Sequence, residues 1–186
     1  MRKVVKFGGS SLASAQQFEK VGNIIRAESS RRFVVPSAPG KRFSDDIKVT
    51  DMLYACYALA EEGKDFKKEL AAIKARYEEI INGLKLELSL DEEFKQIEKD
   101  FKAKAGDNYA ASRGEFLNGK IMAAYLGYTF VDPAECVFFK EDGEFDAEKT
   151  TEALAEKLHK LENAVIPGFY GSLPGVKVKT FSRGGS

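Results

Sequence analysis

The stretch Val4-Val5-Lys6-Phe7-Gly8-Gly9-Ser10-Ser11, near the start of the 186-residue chain, decides the fold class. A short run rich in β-branched and aromatic residues that ends on two glycines predicts a strand followed by a tight turn. Phe18, Val21 and Ile25 then recur at helical spacing. Phe33-Val34-Val35 predicts a second strand. Strand, helix and strand in this order predict a βαβ unit, and therefore a parallel sheet with helices packed on it.

The rest of the chain continues this alternation of helices and strands. Residues 66–84 and 91–104 carry apolar stripes at helical spacing, which predicts a helical hairpin inserted at about residues 65–104. Another helix is predicted from Asp107 to Leu126. Short strands are predicted at 128–131, 137–139, 164–166 and 176–181. The predicted fold is α/β with a mainly parallel sheet, and such sheets bind ligands at the carboxyl ends of their strands.

Composition argues against several classes of protein. Lys plus Arg number 29 and Asp plus Glu number 29, whereas a nucleic-acid-binding domain usually carries a net basic face. Cys56 and Cys136 lie far apart and His159 is the single histidine, so a zinc cage of about four Cys/His ligands is not expected. No apolar run approaches the roughly 20 residues of a membrane helix, and no signal peptide is evident. A cytoplasmic protein with two reduced core cysteines is therefore expected.

Four loops with small or charged residues follow predicted strands and are expected at one edge of the sheet. They contain Gly8-Gly9-Ser10, Ser37-Ala38-Pro39-Gly40, Gly168-Phe169-Tyr170-Gly171 and Ser182 through Ser186. Two adjacent glycines allow backbone N–H groups to approach an anion closely. Lys6 offers a compact cation to a phosphate, and Arg183 offers a bidentate grip on a carboxylate. The sequence therefore predicts an anion-binding site built from strand ends.

Simpler interpretations of these motifs remain open at this point. A lone Lys-x-Gly-Gly is often only a turn, and Lys6-Phe7-Gly8-Gly9 matches neither the P-loop nor the dinucleotide-binding fingerprint. Ser112-Arg113-Gly114-Glu115 fits a capping box, in which Glu115 only satisfies a backbone donor. The preceding residues 107–111 are already predicted to be helical, which disfavours a new helix start there. Gly114 inside a helix costs about 1 kcal/mol relative to alanine, and it indicates close approach of another group.

Five motifs occur in order along the chain. They are Lys6-Phe7-Gly8-Gly9-Ser10-Ser11, Ser37-Ala38-Pro39-Gly40, Ser112-Arg113-Gly114-Glu115, Pro167-Gly168-Phe169 and Ser182-Arg183-Gly184-Gly185-Ser186. Together they resemble the motifs of the aspartokinases, which belong to the amino-acid kinase family, and the resemblance covers essentially the whole chain. It implies a three-layer α/β/α sandwich. It also implies phosphoryl transfer from Mg-ATP to the side-chain carboxylate of L-aspartate, giving 4-phospho-L-aspartate, the first step toward lysine, threonine and methionine.

The resemblance assigns the nucleotide side of the site to the first strand and its turn. Lys6 would act in catalysis by stabilising the transferred phosphoryl group. The backbone amides of Gly8, Gly9 and Ser10 would hold phosphate oxygens of ATP. The implied cofactors are ATP and Mg²⁺, and no metal ligand is assigned to the chain itself.

The resemblance assigns the aspartate side to later loops and one helix. Arg183 would bind the α-carboxylate of the substrate, Glu115 would pair with its α-ammonium group, and Ser37 would help to orient it. Phe169 would form part of the pocket wall. The remaining implied pocket residues are Gly184, Gly185 and Ser186.

The family pattern continues beyond the point that Ser186 matches. In aspartokinases that turn leads into an aspartate, a nucleotide-binding segment and a paired ACT regulatory region. Residues 1–186 are therefore expected to form the N-terminal, substrate-binding part of a catalytic domain, nearly inactive alone, from an enzyme that forms homo-oligomers. Two alternatives stay open: another amino-acid kinase, acting on glutamate or N-acetylglutamate, and a non-catalytic binding or assembly module.

Overall fold

A computed structural model describes residues 2–175 and 177–182 of the chain. Among them is a four-stranded sheet in which every pair of neighbouring strands is parallel. Its strands are β1 (Lys3–Phe7), β2 (Arg31–Pro36), β3 (Thr129–Phe130) and β4 (Ala164–Val165). They lie in the order β1-β2-β4-β3, and Lys6 of β1 is opposite Val35 of β2. The predicted βαβ unit and parallel sheet are confirmed.

Six α-helices occur within the described residues. They are α1 (Ala15–Arg26), α2 (Val49–Glu61), α3 (Lys67–Gly83), α4 (Asp91–Lys102), α5 (Asp107–Leu126) and α6 (Ala147–His159). Local chemistry explains where two of them begin. The side chain of Ser14 accepts a hydrogen bond from the Gln17 N–H, and that of Asp146 accepts one from the Lys149 N–H. These N-caps satisfy backbone donors that the first turn of a helix leaves without partners.

Alternate residues of the central strands face two different layers of helices. Val34 of β2 and Val165 of β4 lie in the core that helices α1 to α5 build. Phe33 and Ala164, their neighbours in sequence, instead pack in a second cluster with Leu158 of α6. Because successive side chains of a strand point to opposite faces, helices cover both sides of the sheet. This is the predicted three-layer α/β/α arrangement.

Helix α5 lies at the centre of the molecule, between α2 and the strands β2, β3 and β4. Its buried residues occupy all sides of the helix, as is typical of a helix enclosed by protein. They include the polar residues Ser112, Glu115 and Asn118, which need partners inside the fold. No helix of residues 2–175 or 177–182 is long and apolar enough to cross a membrane.

The two cysteines are buried and not bonded to each other. Cys56 lies in the larger core and Cys136 in the smaller cluster beneath α6. Burial raises the pKa of the Cys56 thiol to about 12 and that of Cys136 to about 11, so both stay protonated at neutral pH. They serve as small core residues, as the sequence indicates.

The last predicted strand does not join the parallel sheet. It forms β6 (Lys177–Thr180), which pairs antiparallel with β5 (Tyr170–Leu173), a strand that the sequence analysis missed. The expectation that the loop from Ser182 follows a parallel strand is therefore wrong. Val-Lys alternation predicts a strand but not its partner, and the turn at Pro174-Gly175 brings the two segments together locally. Residues 137–139 likewise form only isolated bridges, at Phe138 and Phe139.

Candidate functional site

The carboxyl ends of three parallel strands meet at one edge of the sheet. The backbone N–H of Ser37, which follows β2, donates to the carbonyl of Phe7 at the end of β1 (3.1 Å). The N–H of Gly168, which follows β4, donates to the carbonyl of Pro36 at the end of β2 (3.2 Å). Three of the four loops in which site residues are predicted therefore lie side by side.

The glycine turn after β1 packs directly on the loop after β2. The N–H of Gly40 donates to the carbonyl of Gly9 at 2.8 Å. A methyl group on Gly9 would lie 2.7 Å from the Ala38 carbonyl oxygen, and one on Gly40 would lie 2.8 Å from the backbone nitrogen of Ser10. Both positions need glycine because two backbones touch there. Gly8 differs, since a methyl group on it would meet nothing within 4 Å.

The exposed side of this turn is accessible to a ligand. Lys6, Gly8 and Ser10 are all exposed at the surface. Gly9 begins a short 3₁₀ helix, Gly9–Leu12, and the first N–H groups of a helix lack partners within it. The turn thus places an exposed lysine beside the start of a short 3₁₀ helix, a combination that is typical of anion-binding sites. Among residues 2–175 and 177–182, no neighbour requires glycine at position 8, and close approach of a ligand would explain it.

Exchanging the two glycines separately distinguishes packing from ligand approach. Gly9→Ala is expected to lower the free energy of unfolding by about 1–3 kcal/mol, because its methyl group overlaps the Ala38 carbonyl. Gly8→Ala is expected to change the free energy of unfolding by less than about 0.5 kcal/mol. Urea unfolding of both variants measures the difference. An equal loss of stability in the two variants would contradict the assigned packing.

Glu115 is buried on α5 and points at the loop after β2. Its Oε1 accepts a hydrogen bond from the Ala38 N–H at 3.2 Å. Its Oε2 is buried and has no hydrogen-bond partner in the described part of the chain. Burial raises the pKa of this carboxyl from 4.5 to about 7, although the Ala38 hydrogen bond opposes the shift. One buried oxygen of this carboxyl thus accepts no hydrogen bond from residues 2–175 or 177–182.

The capping-box interpretation of Glu115 is wrong. Helix α5 runs unbroken from Asp107 to Leu126, so Ser112 lies in its interior and caps nothing. The Ser112 hydroxyl instead donates to the Tyr109 carbonyl at 2.7 Å, one turn earlier. Glu115 is therefore directed toward the strand ends by its position in the middle of α5, and not by a role at the start of a helix.

Gly114 has the close neighbour that its place in a helix indicates. A methyl group on it would lie 2.8 Å from the Ala38 side chain. The hydroxyl of Tyr77, a fully buried residue of α3, donates to the Gly114 carbonyl at 2.8 Å. The loop after β2 and the hairpin helix α3 therefore both contact α5 next to Glu115.

Two supporting residues escaped the sequence analysis. Asn118, fully buried on α5, donates from Nδ2 to the Ser37 carbonyl at 2.7 Å. Arg76 of α3 donates from Nη2 to the Gly40 carbonyl at 3.1 Å and forms a buried ion pair with Asp46. Asn118 follows Glu115 by three residues, a spacing that places both on one helix face. This spacing could have predicted a role for Asn118 next to Glu115. The sequence around Arg76 contains no such signal, because a charged residue beside an apolar stripe is common on helices.

Phe169 lies in the turn between β4 and β5 with a backbone φ of +77°. An aromatic residue rarely adopts this left-handed conformation, which costs energy and is seen most often at functional sites. Its side chain is half-buried, and its carbonyl accepts a hydrogen bond from the Phe181 N–H at 2.8 Å. The predicted wall residue thus follows the β4 strand end in a strained turn.

Arg183, Gly184, Gly185 and Ser186, which the resemblance assigns to substrate binding, lie outside the described residues. The strand that precedes them is attached to α5. Thr180 of β6 donates from its hydroxyl to Oδ1 of Asn108, in the first turn of α5, at 2.6 Å. This hydrogen bond holds β6 against the helix that carries Glu115.

The described residues contain no group of three or more His, Cys, Asp or Glu side chains arranged to hold a metal ion. His159, at the end of α6, is exposed.

Comparisons with curated proteins identify relatives over nearly the whole chain. Aspartokinase 3 of Bacillus subtilis (strain 168) is 37% identical over 203 residues, which cover 99% of this chain and 44% of that protein. Aspartokinase 1, chloroplastic, of Arabidopsis thaliana is 29% identical over 210 residues, covering 98% of this chain and 36% of that protein. The chain thus spans less than half the length of these relatives.

Solved structures and a family model agree with this result. The crystal structure of aspartate kinase from Clostridium acetobutylicum matches with a TM-score of 0.95 and 47% identity, covering 98% of this chain and 42% of that one. E. coli aspartokinase III in complex with aspartate and ADP matches with a TM-score of 0.82 and 22% identity, covering 100% of this chain and 44% of that one, which shows a shared fold. The model described as "Amino acid kinase family" matches residues 1–186. By sequence and by fold, the chain belongs to the amino acid kinase family.

Proposed function

We propose that the full-length protein carrying this chain is an aspartate kinase. It would transfer the γ-phosphoryl group of Mg-ATP to the side-chain carboxylate of L-aspartate and produce 4-phospho-L-aspartate. By analogy with the aspartokinases it resembles, the protein would act in the cytoplasm as a homo-oligomer, at the start of lysine, threonine and methionine synthesis. Residues 1–186 would supply the substrate-binding part of the catalytic domain, with the helical hairpin at about 65–104 as an insertion, and would turn over little alone.

The chemistry suits a site without a general base. A free aspartate side chain has a pKa of about 3.9, so the attacking carboxylate is already ionised at neutral pH. Phosphoryl transfer then depends mainly on positioning and on neutralising charge. The turn after β1 would position the phosphate through backbone N–H donors, and the exposed Lys6 would neutralise part of its charge.

On the nucleotide side, Lys6 would contact the transferred phosphoryl group. The N–H groups of Gly8, Gly9 and Ser10 would hold phosphate oxygens. Backbone N–H groups at a glycine turn beside a lysine favour an anion, because both carry positive charge or partial positive charge. Mg²⁺, when bound with ATP, would neutralise part of the developing charge on the phosphates.

On the substrate side, the buried carboxylate of Glu115 is the observation that carries the proposal. Burial makes this carboxyl costly to ionise, and a cationic partner beside its unpaired oxygen would favour the charged form. The α-ammonium group of an amino acid provides that charge together with three N–H donors. Ser37 would orient the bound substrate, and Phe169 would contribute to the wall of the pocket.

Arg183 would bind the α-carboxylate through two parallel hydrogen bonds. Gly184, Gly185 and Ser186 would complete the pocket on the same side. Pairing of Arg183 and Glu115 with the two backbone charges of the substrate would leave the aspartate side chain directed at the phosphoryl group. This division of roles is an analogy with the aspartokinase motifs.

Glu115 also separates the proposal from a kinase that acts on N-acetylglutamate. An N-acetylated amine is neutral and offers a single N–H donor, so it would leave the Glu115 charge without a counterion. A free amino acid is therefore favoured as the substrate. Assays of the full-length protein with aspartate, glutamate and N-acetylglutamate would test this order, and a preference for N-acetylglutamate would overturn it.

Calorimetric titration of the 186-residue chain tests the substrate half of the site directly. L-aspartate is expected to bind and D-aspartate to bind much more weakly. Arg183→Ala is expected to weaken L-aspartate binding by about 10- to 100-fold, the effect of losing a hydrogen-bonded charge pair. Equal affinity for both enantiomers, or an unchanged affinity in the variant, would contradict the assigned role of Arg183.

A further inference from the structure

A single peptide group, between Ser37 and Ala38, is held at both of its polar ends by helix α5. Its carbonyl accepts a hydrogen bond from Asn118 Nδ2 at 2.7 Å. Its N–H donates to Glu115 Oε1 at 3.2 Å. The two side chains are three residues apart and therefore neighbours on one face of the helix. We define the pair Glu115 and Asn118 as the peptide clamp.

The peptide clamp and the β1–β2 pairing together restrain the backbone of Ser37. The N–H of Ser37 already donates to the Phe7 carbonyl, at 3.1 Å, in the last rung of the β1–β2 pairing. Both peptide planes that flank Ser37 are thus held by named hydrogen bonds. Residues that lie on rigid elements hold a site geometry more closely than residues on unsupported loops.

The peptide clamp is not optimised for stability. Glu115 Oε2 and Asn118 Oδ1 are both buried acceptors without a hydrogen-bond partner among residues 2–175 and 177–182. Each such atom costs about 1–3 kcal/mol. A leucine in place of Asn118 would remove the unpaired Oδ1 but would also take from the Ser37 carbonyl its Asn118 donor. The Asn118 amide thus makes one hydrogen bond, to the Ser37 carbonyl, and leaves its own buried oxygen without a partner among the described residues.

We propose that Asn118 is a positioning residue of the substrate pocket, fixing the Ser37–Ala38 peptide so that Ala38 occupies one oxygen of Glu115 and the other faces the substrate. The proposal rests on the proposed function for its ligand, an amino acid with a free ammonium group. Without the Asn118 donor, only the Glu115 bond still restrains this peptide, and its rotation becomes easier. The Ala38 N–H then leaves Oε1, and both Glu115 and the Ser37 hydroxyl lose their set orientation.

Two variants of Asn118 and one control test the proposal. Asn118→Leu removes the donor and keeps the approximate size, and Asn118→Asp replaces the donor by an acceptor in the same shape. Asn23→Asp, on the exposed face of α1, is the matched control. Thermal unfolding of all three identifies any variant that fails to fold. The two Asn118 substitutions change the site differently, one by removing a polar group and one by adding an acceptor, so a folding defect in one still leaves the other for the comparison.

Hydrogen exchange in the 186-residue chain measures the peptide clamp without a ligand. The Ala38 amide is expected to exchange at least about 10-fold faster in both Asn118 variants than in the wild type or in Asn23→Asp. An unchanged exchange rate in the Asn118 variants would overturn the inference at its first step.

Steady-state kinetics of the full-length protein measure the positioning role. The KM for aspartate is expected to rise about 10-fold or more, while the KM for ATP stays within about 2-fold, because only substrate orientation is lost. Equal increases in both constants would overturn the positioning role and leave a purely structural one. Failure of the wild-type protein to use aspartate would overturn the proposed function, and the exchange experiment would still decide the clamp.

Discussion

Lys6→Met is expected to lower kcat of the full-length protein by about 100- to 1000-fold, the effect of removing one preorganised donor to developing charge. Lys6 lies one residue before the end of β1, opposite Val35, and its side chain is exposed at the edge where the strand ends meet. Stability should change by less than about 1 kcal/mol, because the side chain at position 6 is exposed. Steady-state kinetics at saturating aspartate and ATP measure the effect.

Lys3→Met provides the matched control for this prediction. Lys3 belongs to the same strand but lies at its opposite end, where it pairs with Glu28. The control variant should keep the wild-type kcat. A comparable loss of kcat in Lys3→Met, or a loss confined to the KM for ATP in Lys6→Met, would argue against the assigned role of Lys6 in transfer.

Glu115→Gln is expected to raise the KM for aspartate by about 10- to 100-fold, since a bond between two charged groups is replaced by one to a neutral amide. The Gln oxygen can still accept from the Ala38 N–H, so the loop after β2 should keep its position. The amide nitrogen would then occupy the place of the unpaired Oε2 and repel an ammonium donor. A comparison of KM values for aspartate and ATP measures this effect, and an unchanged aspartate KM would refute the assigned partner.

The same variant tests the electrostatics of the buried carboxyl. Burial raises the folded pKa of Glu115 from 4.5 to about 7, so the folded state holds a proton that the unfolded state releases between these values. The contribution of Glu115 to stability is therefore most favourable below pH 4.5 and is lost as pH rises through about 7. Its size is on the order of 3 kcal/mol. Glu115→Gln should lack this dependence.

Urea unfolding of the wild type and Glu115→Gln from about pH 4 to about pH 8 isolates the effect of this group. Asp46 has the opposite effect, and mainly below roughly pH 4, because hydrogen bonds from Arg42 hold the pKa of its carboxyl well below the usual range. That contribution is present in both proteins and cancels in their difference. If the free energy of unfolding changed with pH in the same way in both proteins, the pKa of Glu115 would not be raised in the folded state, and the prediction would be wrong.

Local patterns were sufficient to predict the elements that carry the site. The run from Val4 to Phe7 forms a strand, the glycines after it form a turn, and the helix predicted from Asp107 to Leu126 has those bounds in the structure. Each of these elements is set by periodicity and by breakers within a few residues. The close neighbour of Gly114 was also predicted, because a glycine inside a helix sacrifices stability and so indicates that a side chain would not fit there.

Interactions across the chain were not predictable in the same way. The pairing of β6 with β5 depends on the turn at Pro174-Gly175, and the alternation of residues in β6 is compatible with either sheet. Arg76 lies on a helix whose own pattern explains only its apolar stripe. Its contacts with Gly40 and Asp46 form only when the hairpin packs on the loop after β2.

The sequence by itself determined the α/β class, the parallel arrangement of the first two strands and the motifs that resemble aspartokinases. It did so because strand and helix periods, glycine turns and motif order are properties of short segments. Only the tertiary structure decided that Glu115 and Asn118 hold one peptide between them, and that Gly9 is required by packing whereas Gly8 is not. Those facts depend on which backbones meet at the sheet edge, and contact between residues that are distant in sequence is a property of the packed chain.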